Sequence, residues 1–394
     1  GLGDVYKRQA HMPIISSDGD DHTAHDSSCG PASDAPRSQR QVKSRHGSRA
    51  TIGLTILAGL ATFLAACASP NAADVTHSGS KHTASTSSTT PGGTTSSATT
   101  STTPTATPTP SATSTPATKY AGYPGAGKAV TKPTCAAPPA AGTPLKASGA
   151  VVPNLPALIP GTNHGKAAEG HVYAAKTVHD WMLKPQTQPK NKKIAFLTFD
   201  DGPSQRTPQV LKGLKSSGGR ATFFTISSHM GEVDKSLLNQ MLEQGNALAI
   251  HSYSHDYDYL YPGREASKSH IGCDIDYAMA QMRSFVGSGF TTGAVRNPGG
   301  HMSWRGWSTA DSAMSERHMS WIDWNALSKD AEGKPLTSTD EAVQNLKETA
   351  AEYGTPNVLL ILNHDAEDKK VTARSVPAMV KYLKSKGYEL GVIA

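Results

Sequence analysis

The sequence has 394 residues, a formal net charge of +6 and four cysteines. That length allows about one to three domains. The lysines and arginines form no block interleaved with aromatic residues, so the positive charge suits anionic surfaces or polymers rather than nucleic acid. We expect no nucleic-acid partner, and we expect the chain to be a monomer.

The first two segments of the chain predict export. Residues 1–41 are polar and aperiodic, so we expect an upstream segment that takes no part in the fold. Residues 42–67 combine a basic region with an uncharged apolar run from Ala50 to Ala66, followed by Cys67. This order is typical of a secretory signal, and the run is marginal in length for a membrane span.

The end of that run, Leu64-Ala65-Ala66-Cys67, resembles a bacterial lipobox. In a lipobox the cysteine becomes the lipid-modified first residue of the mature chain. The alternative is an N-terminal transmembrane anchor, and in both cases the rest of the chain lies outside the cytoplasm. We expect lipid anchoring through Cys67 to the outer face of the bacterial cytoplasmic membrane, within the cell wall, since several acyl chains on one residue anchor stably.

Two segments with little regular pattern follow. Residues 68–118 consist largely of Ser, Thr, Pro, Ala and Gly, so they cannot bury a core and predict a disordered, semi-extended linker. Residues 119–190 have frequent Pro and Gly and scattered apolar residues, with one helix-like piece at Val172–Leu183. We expect a lead-in segment that packs on the domain after it.

Residues 191–394 have the pattern of a globular domain. Seven apolar runs predict strands: Ile194–Phe199, Ala221–Ile226, Ala247–Ile250, Gly293–Val295, Met319–Trp324, Val358–Leu362 and Tyr388–Ile393. Five intervening segments predict helices: Pro208–Ser216, Val233–Gln244, Glu265–Phe285, Asp340–Tyr353 and Val376–Lys386. This alternation predicts a parallel α/β barrel or near-barrel, with its active site at the C-terminal ends of the strands.

Cys135 and Cys273 are the only cysteines of the body, because Cys29 lies upstream of the signal and Cys67 belongs to it. An even pair in an exported protein favours a disulfide. Two free thiols remain the alternative, because the sequence does not show whether the two Cβ atoms can meet.

Two adjacent aspartates mark the end of the first predicted strand. Asp200 and Asp201 follow its apolar residues, and Gly202-Pro203 then predicts a turn. Carboxylates so close disfavour joint ionisation unless a cation lies beside them. Alone, the pair also fits two solvated loop residues, so the interpretation depends on the motifs downstream.

Other predicted strand ends carry groups that suit a cation site. His251 and His255 have a spacing of four, which puts both imidazoles on one side of a helical turn or tight loop, although such a pair alone is more often structural. With Asp201 they form a two-histidine, one-carboxylate set with open positions. Arg296 can clamp a carboxylate, and His364 ends the sixth apolar run.

Together these motifs resemble those of polysaccharide deacetylases, the NodB-homology group or carbohydrate esterase family 4. The resemblance covers residues 191–394 and includes four motifs in order: Thr198-Phe199-Asp200-Asp201-Gly202-Pro203, His251-x-x-x-His255, Arg296-x-Pro298-x-Gly300 and Leu362-x-His364. It implies a distorted (β/α) barrel of about seven parallel strands and a divalent metal, zinc first, with Co²⁺ or another divalent ion as alternatives.

The resemblance also implies a role for each site residue. Asp201, His251 and His255 are the metal ligands, Asp200 is the general base, Arg296 holds Asp200, and His364 is the general acid. Family members often have an aromatic residue where this chain has Gly299, whose expected role is a backbone N–H toward the oxyanion.

A fourth family motif, Asp-Trp, supplies the carboxylate that supports the acid histidine, and here its position is ambiguous. Asp323-Trp324 is the literal match, whereas the spacing from the preceding strand favours Asp330. We favour Asp330, in which case Ala331 replaces the tryptophan that walls the acetyl pocket.

The sequence therefore predicts a metal-dependent hydrolase that removes N-acetyl groups from a cell-surface polysaccharide, with peptidoglycan N-acetylglucosamine as the nearest target of an anchored enzyme. Chitin oligomers, an exopolysaccharide or O-acetyl xylan are alternative substrates. A catalytically silent glycan-binding protein and a non-haem iron oxygenase are alternatives of other classes.

Metabolic labelling with a fatty-acid probe tests the anchor. Wild-type protein should carry the label, and Cys67→Ala should abolish it because the substitution removes the acylated thiol. Cys29→Ala, which leaves Cys67 in place, should be labelled like the wild type. Unchanged labelling of Cys67→Ala would refute the lipobox.

Overall fold

The computed structural model describes residues 120–394. The predictions for residues 1–118, including the export signal, the anchor at Cys67 and the linker, lie outside the described residues. Within residues 120–394, no helix is both long and apolar enough to cross a membrane.

The described chain alternates strands and helices. Its strands are β1 (Val172–Tyr173), β2 (Lys193–Asp200), β3 (Thr222–Thr225), β4 (Ala247–Ile250), β5 (Ala294–Val295), β6 (Ser320–Trp321), β7 (Ala326–Leu327), β8 (Val358–His364), β9 (Tyr388–Leu390) and β10 (Val392–Ile393). Its α-helices are α1 (Ala175–Leu183), α2 (Thr207–Ser217), α3 (Lys235–Glu243), α4 (Tyr257–Leu260), α5 (Lys268–Val286), α6 (Trp307–Ser315), α7 (Thr339–Glu352) and α8 (Lys370–Ser385).

One parallel sheet carries most of these strands, in the order β6-β5-β4-β3-β2-β8-β7. Strand β9 also pairs with β2, at Lys193–Ala195 near the start of β2, whereas β3 pairs with Thr198–Asp200 near its end. Strands β1 and β10 form a separate parallel pair. The predicted parallel α/β architecture, a distorted barrel built on seven strands, is confirmed.

Strand β2 lies in the middle of this sheet and sets the position of the site. All but the first of its residues are buried. A central parallel strand is covered on both faces, and for that reason its sequence is a continuous apolar run. The register with β8 puts Asp200 directly beside His364. Two predicted site residues are therefore neighbours because of strand pairing alone.

Several predicted elements differ in extent. The helix-like piece Val172–Leu183 begins as β1, and its helix starts only at Ala175, because Val172 and Tyr173 pair with β10. The last helix starts at Lys370, before the predicted Val376, and contains Pro377. Packing against α2 and α7 outweighs the tendency of proline to start or break a helix. Helices α4 and α6 and strand β7 were not predicted.

The segment before β2 packs closely on α5. Cys135 and Cys273 form a disulfide, which decides between the two alternatives that the sequence left open. Nearby, the Thr143 N–H donates to the Ser228 carbonyl, and the Leu145 N–H donates to the Tyr253 hydroxyl. These contacts join the segment to the loops around the site.

Candidate active site

Two neighbouring carboxylates stand where β2 ends. Asp200 is the last residue of β2, and Asp201 lies in the turn after it with φ of 70°. This left-handed conformation is uncommon for residues other than glycine. It lets Asp201 point into the same cavity as Asp200, although consecutive residues of a strand point to opposite faces.

Arg296, which follows β5, holds the first of these carboxylates. Its side chain is fully buried, and its Nη1 donates to Asp200 Oδ1 and to Thr198 Oγ1, each at 2.7 Å. Its guanidinium also lies over the Phe224 ring, 4.2 Å from the ring centroid. One oxygen of Asp200 is therefore fixed, and the other, Oδ2, lies 3.7 Å from His251 Nε2.

Asp201, His251 and His255 come together as a possible metal cluster. Their ligand atoms lie within 4.8 Å of one another, and Asp201 Oδ1 is 3.4 Å from Nε2 of each histidine. His251 Nδ1 donates to the Arg296 carbonyl, 2.9 Å away, so Nε2 presents its lone pair to the cluster. The two histidines lie on a tight loop rather than on a helix.

These residues fit a divalent cation. Asp201 Oδ1 is buried and accepts no hydrogen bond within residues 120–394, which is costly unless a cation neutralises it. Two imidazole nitrogens and one carboxylate oxygen are a donor set that zinc takes while keeping a position open. The site would hold the ion through Asp201, His251 and His255.

The electrostatics of the cluster agree with that fit. Burial favours a higher pKa for Asp201, but the contact with His251 and the positive charge of His364 outweigh it and hold that pKa far below its usual range. Burial lowers the pKa of His255 to about 4 despite the attraction of Asp201, so its imidazole is neutral, as a metal ligand must be. Burial opposes charge on His251 as well, but the carboxylates of Asp200 and Asp201 outweigh it and raise its pKa.

His364 faces the cluster from the end of β8 and is paired with Asp330. His364 Nδ1 lies 2.8 Å from Asp330 Oδ1, while Asp330 Oδ2 accepts from the His364 N–H and from the Thr372 hydroxyl. Burial works against the charged imidazole, but the charge of Asp330 outweighs it and raises the pKa of His364 to about 10. Protonated His364 is thus the stable form at neutral pH.

Asp323, the literal motif match, has a different position. Its carboxylate accepts from the backbone N–H groups of His301 and Met302 and makes no contact with His364 within the described chain. The structure brings Asp330 to His364 instead. Ala331, next in sequence, lines the cavity.

All seven predicted site residues lie in or against one cavity of about 450 Å³. Arg296 is buried behind Asp200, and the other six line the cavity wall: Asp200, Asp201, His251, His255, Asp330 and His364. Aromatic and apolar side chains complete the wall, among them Tyr257, Trp324, Leu336 and Leu362. Such a mixture of apolar wall and convergent polar groups is typical of a small-molecule site.

Three residues that support the site were not singled out from the sequence. Thr198 accepts from Arg296, and Thr372 donates to Asp330. Asp365 follows His364, is fully buried and accepts from the Thr207 hydroxyl, and burial raises its pKa to about 7. The sequence signal for Asp365 was its place beside His364, and that for Thr198 was its place in the first motif, whereas Thr372 had none.

The chain is similar to known proteins of one family. A family model described as Polysaccharide deacetylase matches residues 187–314. A peptidoglycan-N-acetylglucosamine deacetylase from Bacillus cereus is 30% identical over 208 residues, which cover 51% of this chain and 69% of that protein. The solved structure of a Streptococcus mutans CE4 esterase is 36% identical, with a TM-score of 0.56, and covers 61% of this chain and 100% of that chain.

The chain belongs to the polysaccharide deacetylase family. A bifunctional xylanase/deacetylase from Pseudobutyrivibrio xylanivorans is a further relative, 27% identical over 202 residues. The match covers 51% of this chain but only 30% of that protein. The family therefore includes proteins of different organisation around a shared deacetylase region.

Replacement of Arg296 should destabilise the fold strongly. We expect Arg296→Met to lower the free energy of unfolding by about 3–5 kcal/mol, because it leaves Asp200 buried without its partner. Denaturant titration followed by circular dichroism measures this loss.

Arg206→Met is the control. Arg206 pairs with Glu367 at 3.0 Å, but that pair is largely exposed, so the same substitution there should cost about 1 kcal/mol or less. Equal losses in the two variants would contradict the role given to burial.

Proposed function

We propose that the protein is a metal-dependent hydrolase that removes N-acetyl groups from amino sugars of a cell-surface polysaccharide. The observation that carries this proposal is the convergence, in one cavity, of a possible metal cluster, a carboxylate held by Arg296 and a protonated histidine held by Asp330. Metal-assisted amide hydrolysis uses these three kinds of group: a Lewis acid, a general base and a general acid.

Asp200 is the proposed general base. Arg296 and the strand end fix its position, and its second oxygen, Oδ2, faces the cluster, so it can accept a proton from a water held there. A divalent ion bound at the cluster would polarise the amide carbonyl and acidify the attacking water. Asp200 then takes the proton of that water as it adds to the carbonyl carbon.

His364 is the proposed general acid. Cleavage of the C–N bond would expel an amide anion unless the nitrogen receives a proton. His364 is protonated at neutral pH and lines the same cavity, so it can supply that proton. The backbone N–H of Gly299, which also lines the cavity, is the proposed donor to the oxyanion. Acetate and a free amino sugar are the products.

Peptidoglycan N-acetylglucosamine is the proposed substrate. Support comes from the activity for which the Bacillus cereus relative is named, and from the predicted anchor at Cys67, which would keep the domain beside the cell's own wall. Zinc is the proposed metal. Acetate release from peptidoglycan, chitin oligomers and acetylated xylan, measured side by side, discriminates among the substrates, and no release from any of them would favour a silent glycan-binding protein.

Substitution of Asp201 and substitution of Asp200 should have different effects on metal binding. Asp201→Ala should lose zinc and activity together, because it deletes a ligand. Asp200→Asn should keep zinc while acetate release falls by about 10²-fold or more, because it removes only the base. Metal analysis of the purified variants and an acetate assay give both readouts.

The wild type treated with EDTA and then with zinc is the reference for these variants. Its acetate release should disappear and return. If both variants kept zinc and half of the activity, the assignment of the two aspartates would be wrong.

Asp330→Asn should move the pH profile of acetate release. The charge of Asp330 raises the pKa of His364 to about 10, so the wild type loses its acid only as the pH rises toward that value. Without that charge the pKa of His364 falls, and the alkaline limb of the profile should move to lower pH by about one unit or more.

Asp323→Asn is the matched control, because Asp323 bonds to backbone N–H groups and not to His364. It should leave the alkaline limb in place even if it lowers stability. A shift in Asp323→Asn and none in Asp330→Asn would reverse the assignment.

A further inference from the structure

The loop between the two proposed histidine ligands is bent into an unfavourable shape. Ser252 and His255 both have positive φ, 71° and 54°, and neither is glycine. Such conformations cost of order 1 kcal/mol or more each and persist only where surrounding contacts impose them. Something outside the loop must therefore hold it.

Asp274 of α5 makes the contacts that hold this loop. Its Oδ1 accepts from the Tyr253 N–H at 2.7 Å, and its Oδ2 accepts from the Ser254 N–H at 3.0 Å and from the Ser254 hydroxyl at 2.6 Å. Asp274 is 1% exposed and makes no ion pair with any residue between 120 and 394. Its buried carboxylate is thus satisfied by donors of the loop rather than by a cation.

The two histidines depend on this loop to different degrees. The backbone N–H of His251 bonds to the Thr225 carbonyl, and its ring bonds to the Arg296 carbonyl, so the strands position it directly. The His255 N–H bonds only to the Ser252 hydroxyl, within the loop itself. The position of His255 relative to His251 therefore follows from the shape of the loop.

We propose that Asp274 is a positioning residue that sets the affinity of the metal cluster by holding the loop that carries His255. The proposal rests on the metal-binding role proposed above. Partners that orient metal ligands from outside the cluster typically change metal affinity by about 10- to 100-fold when they are removed. Asp274 would act through Tyr253 and Ser254, since none of its contacts is to a ligand.

Asp276 provides a matched control on the same helix. It is also a carboxylate of α5, but it bonds to Arg317 and to the Tyr123 hydroxyl and not to the loop of the histidines. Asp276→Asn removes a comparable network and should also lower stability. It should not change the spacing of the proposed ligands.

The test measures metal binding by the full chain after its metal is removed with a chelator. Zn²⁺ affinity is obtained by competition with a chromophoric chelator, and Co²⁺ bound in place of zinc reports ligand geometry through its visible spectrum. We expect Asp274→Asn to raise the Kd for Zn²⁺ by about 10- to 100-fold and to alter the Co²⁺ spectrum. Asp276→Asn should keep both within about twofold of the wild type, as expected of a distant site.

Two results would overturn the proposal: Asp274→Asn binding Zn²⁺ as tightly as the wild type, or Asp276→Asn weakening binding to the same extent. If Asp274→Asn does not fold, Ser254→Ala replaces it, because this change deletes the 2.6 Å hydroxyl bond to Asp274 and otherwise only the 3.3 Å bond from the Asp256 N–H. Unchanged Zn²⁺ affinity in Ser254→Ala would then contradict the proposal. A wild-type protein that binds neither ion would instead reject the metal cluster itself, which separates the two failures.

Discussion

The buried pair of Arg296 and Asp200 is the interaction on which the rest of the site depends. The guanidinium donates to Asp200 and Thr198 of β2 and to the Ile322 carbonyl after β6, and it stacks on Phe224 of β3. Its own backbone carbonyl accepts from the ring of His251. One fully desolvated cation thus connects the ends of several strands. Such a group is costly to bury unless every donor finds a partner, so the strand ends around it are closely constrained.

This constraint explains how two adjacent carboxylates have different surroundings. Asp200 stays in the strand and is tied to Arg296, whereas Asp201 leaves the strand in a left-handed turn and faces two imidazoles. The guanidinium of Arg296 balances the charge of Asp200. Asp201 Oδ1 accepts no hydrogen bond within residues 120–394, so a cation fits beside it. Each of the two adjacent carboxylates thus has its own partners, Arg296 for Asp200 and the two imidazoles for Asp201.

Three residues with a strained backbone lie on the same edge of the sheet. Asp201, Ser252 and His255 all have positive φ, and each lies between a strand end and the cavity. Carboxylates buried behind the loops, such as Asp274 and Asp365, accept hydrogen bonds from the chain around them. The cavity is thus lined by bent loops that a rigid sheet and buried acceptors hold in place, which is a common arrangement for functional sites.

The sequence by itself determined the parallel α/β fold, because buried strands in such a sheet must be continuous apolar runs and the helices between them must be amphipathic. It also placed Asp200, Arg296 and His364 at predicted strand ends, which share one edge of a parallel sheet, while the resemblance to the family implied that Arg296 holds Asp200. Only the tertiary structure decided the partner of His364. Strand β7 pairs with β8 at Ile361–Leu362, and Asp330 follows β7 by three residues, which brings its carboxylate beside His364. Asp323 lies before β7, and its carboxylate accepts hydrogen bonds from backbone N–H groups instead. The tertiary structure also decided the Cys135–Cys273 disulfide and the hydrogen bonds of Asp274 to the loop of the histidines. Contacts between residues far apart in the chain have no local sequence pattern that predicts them.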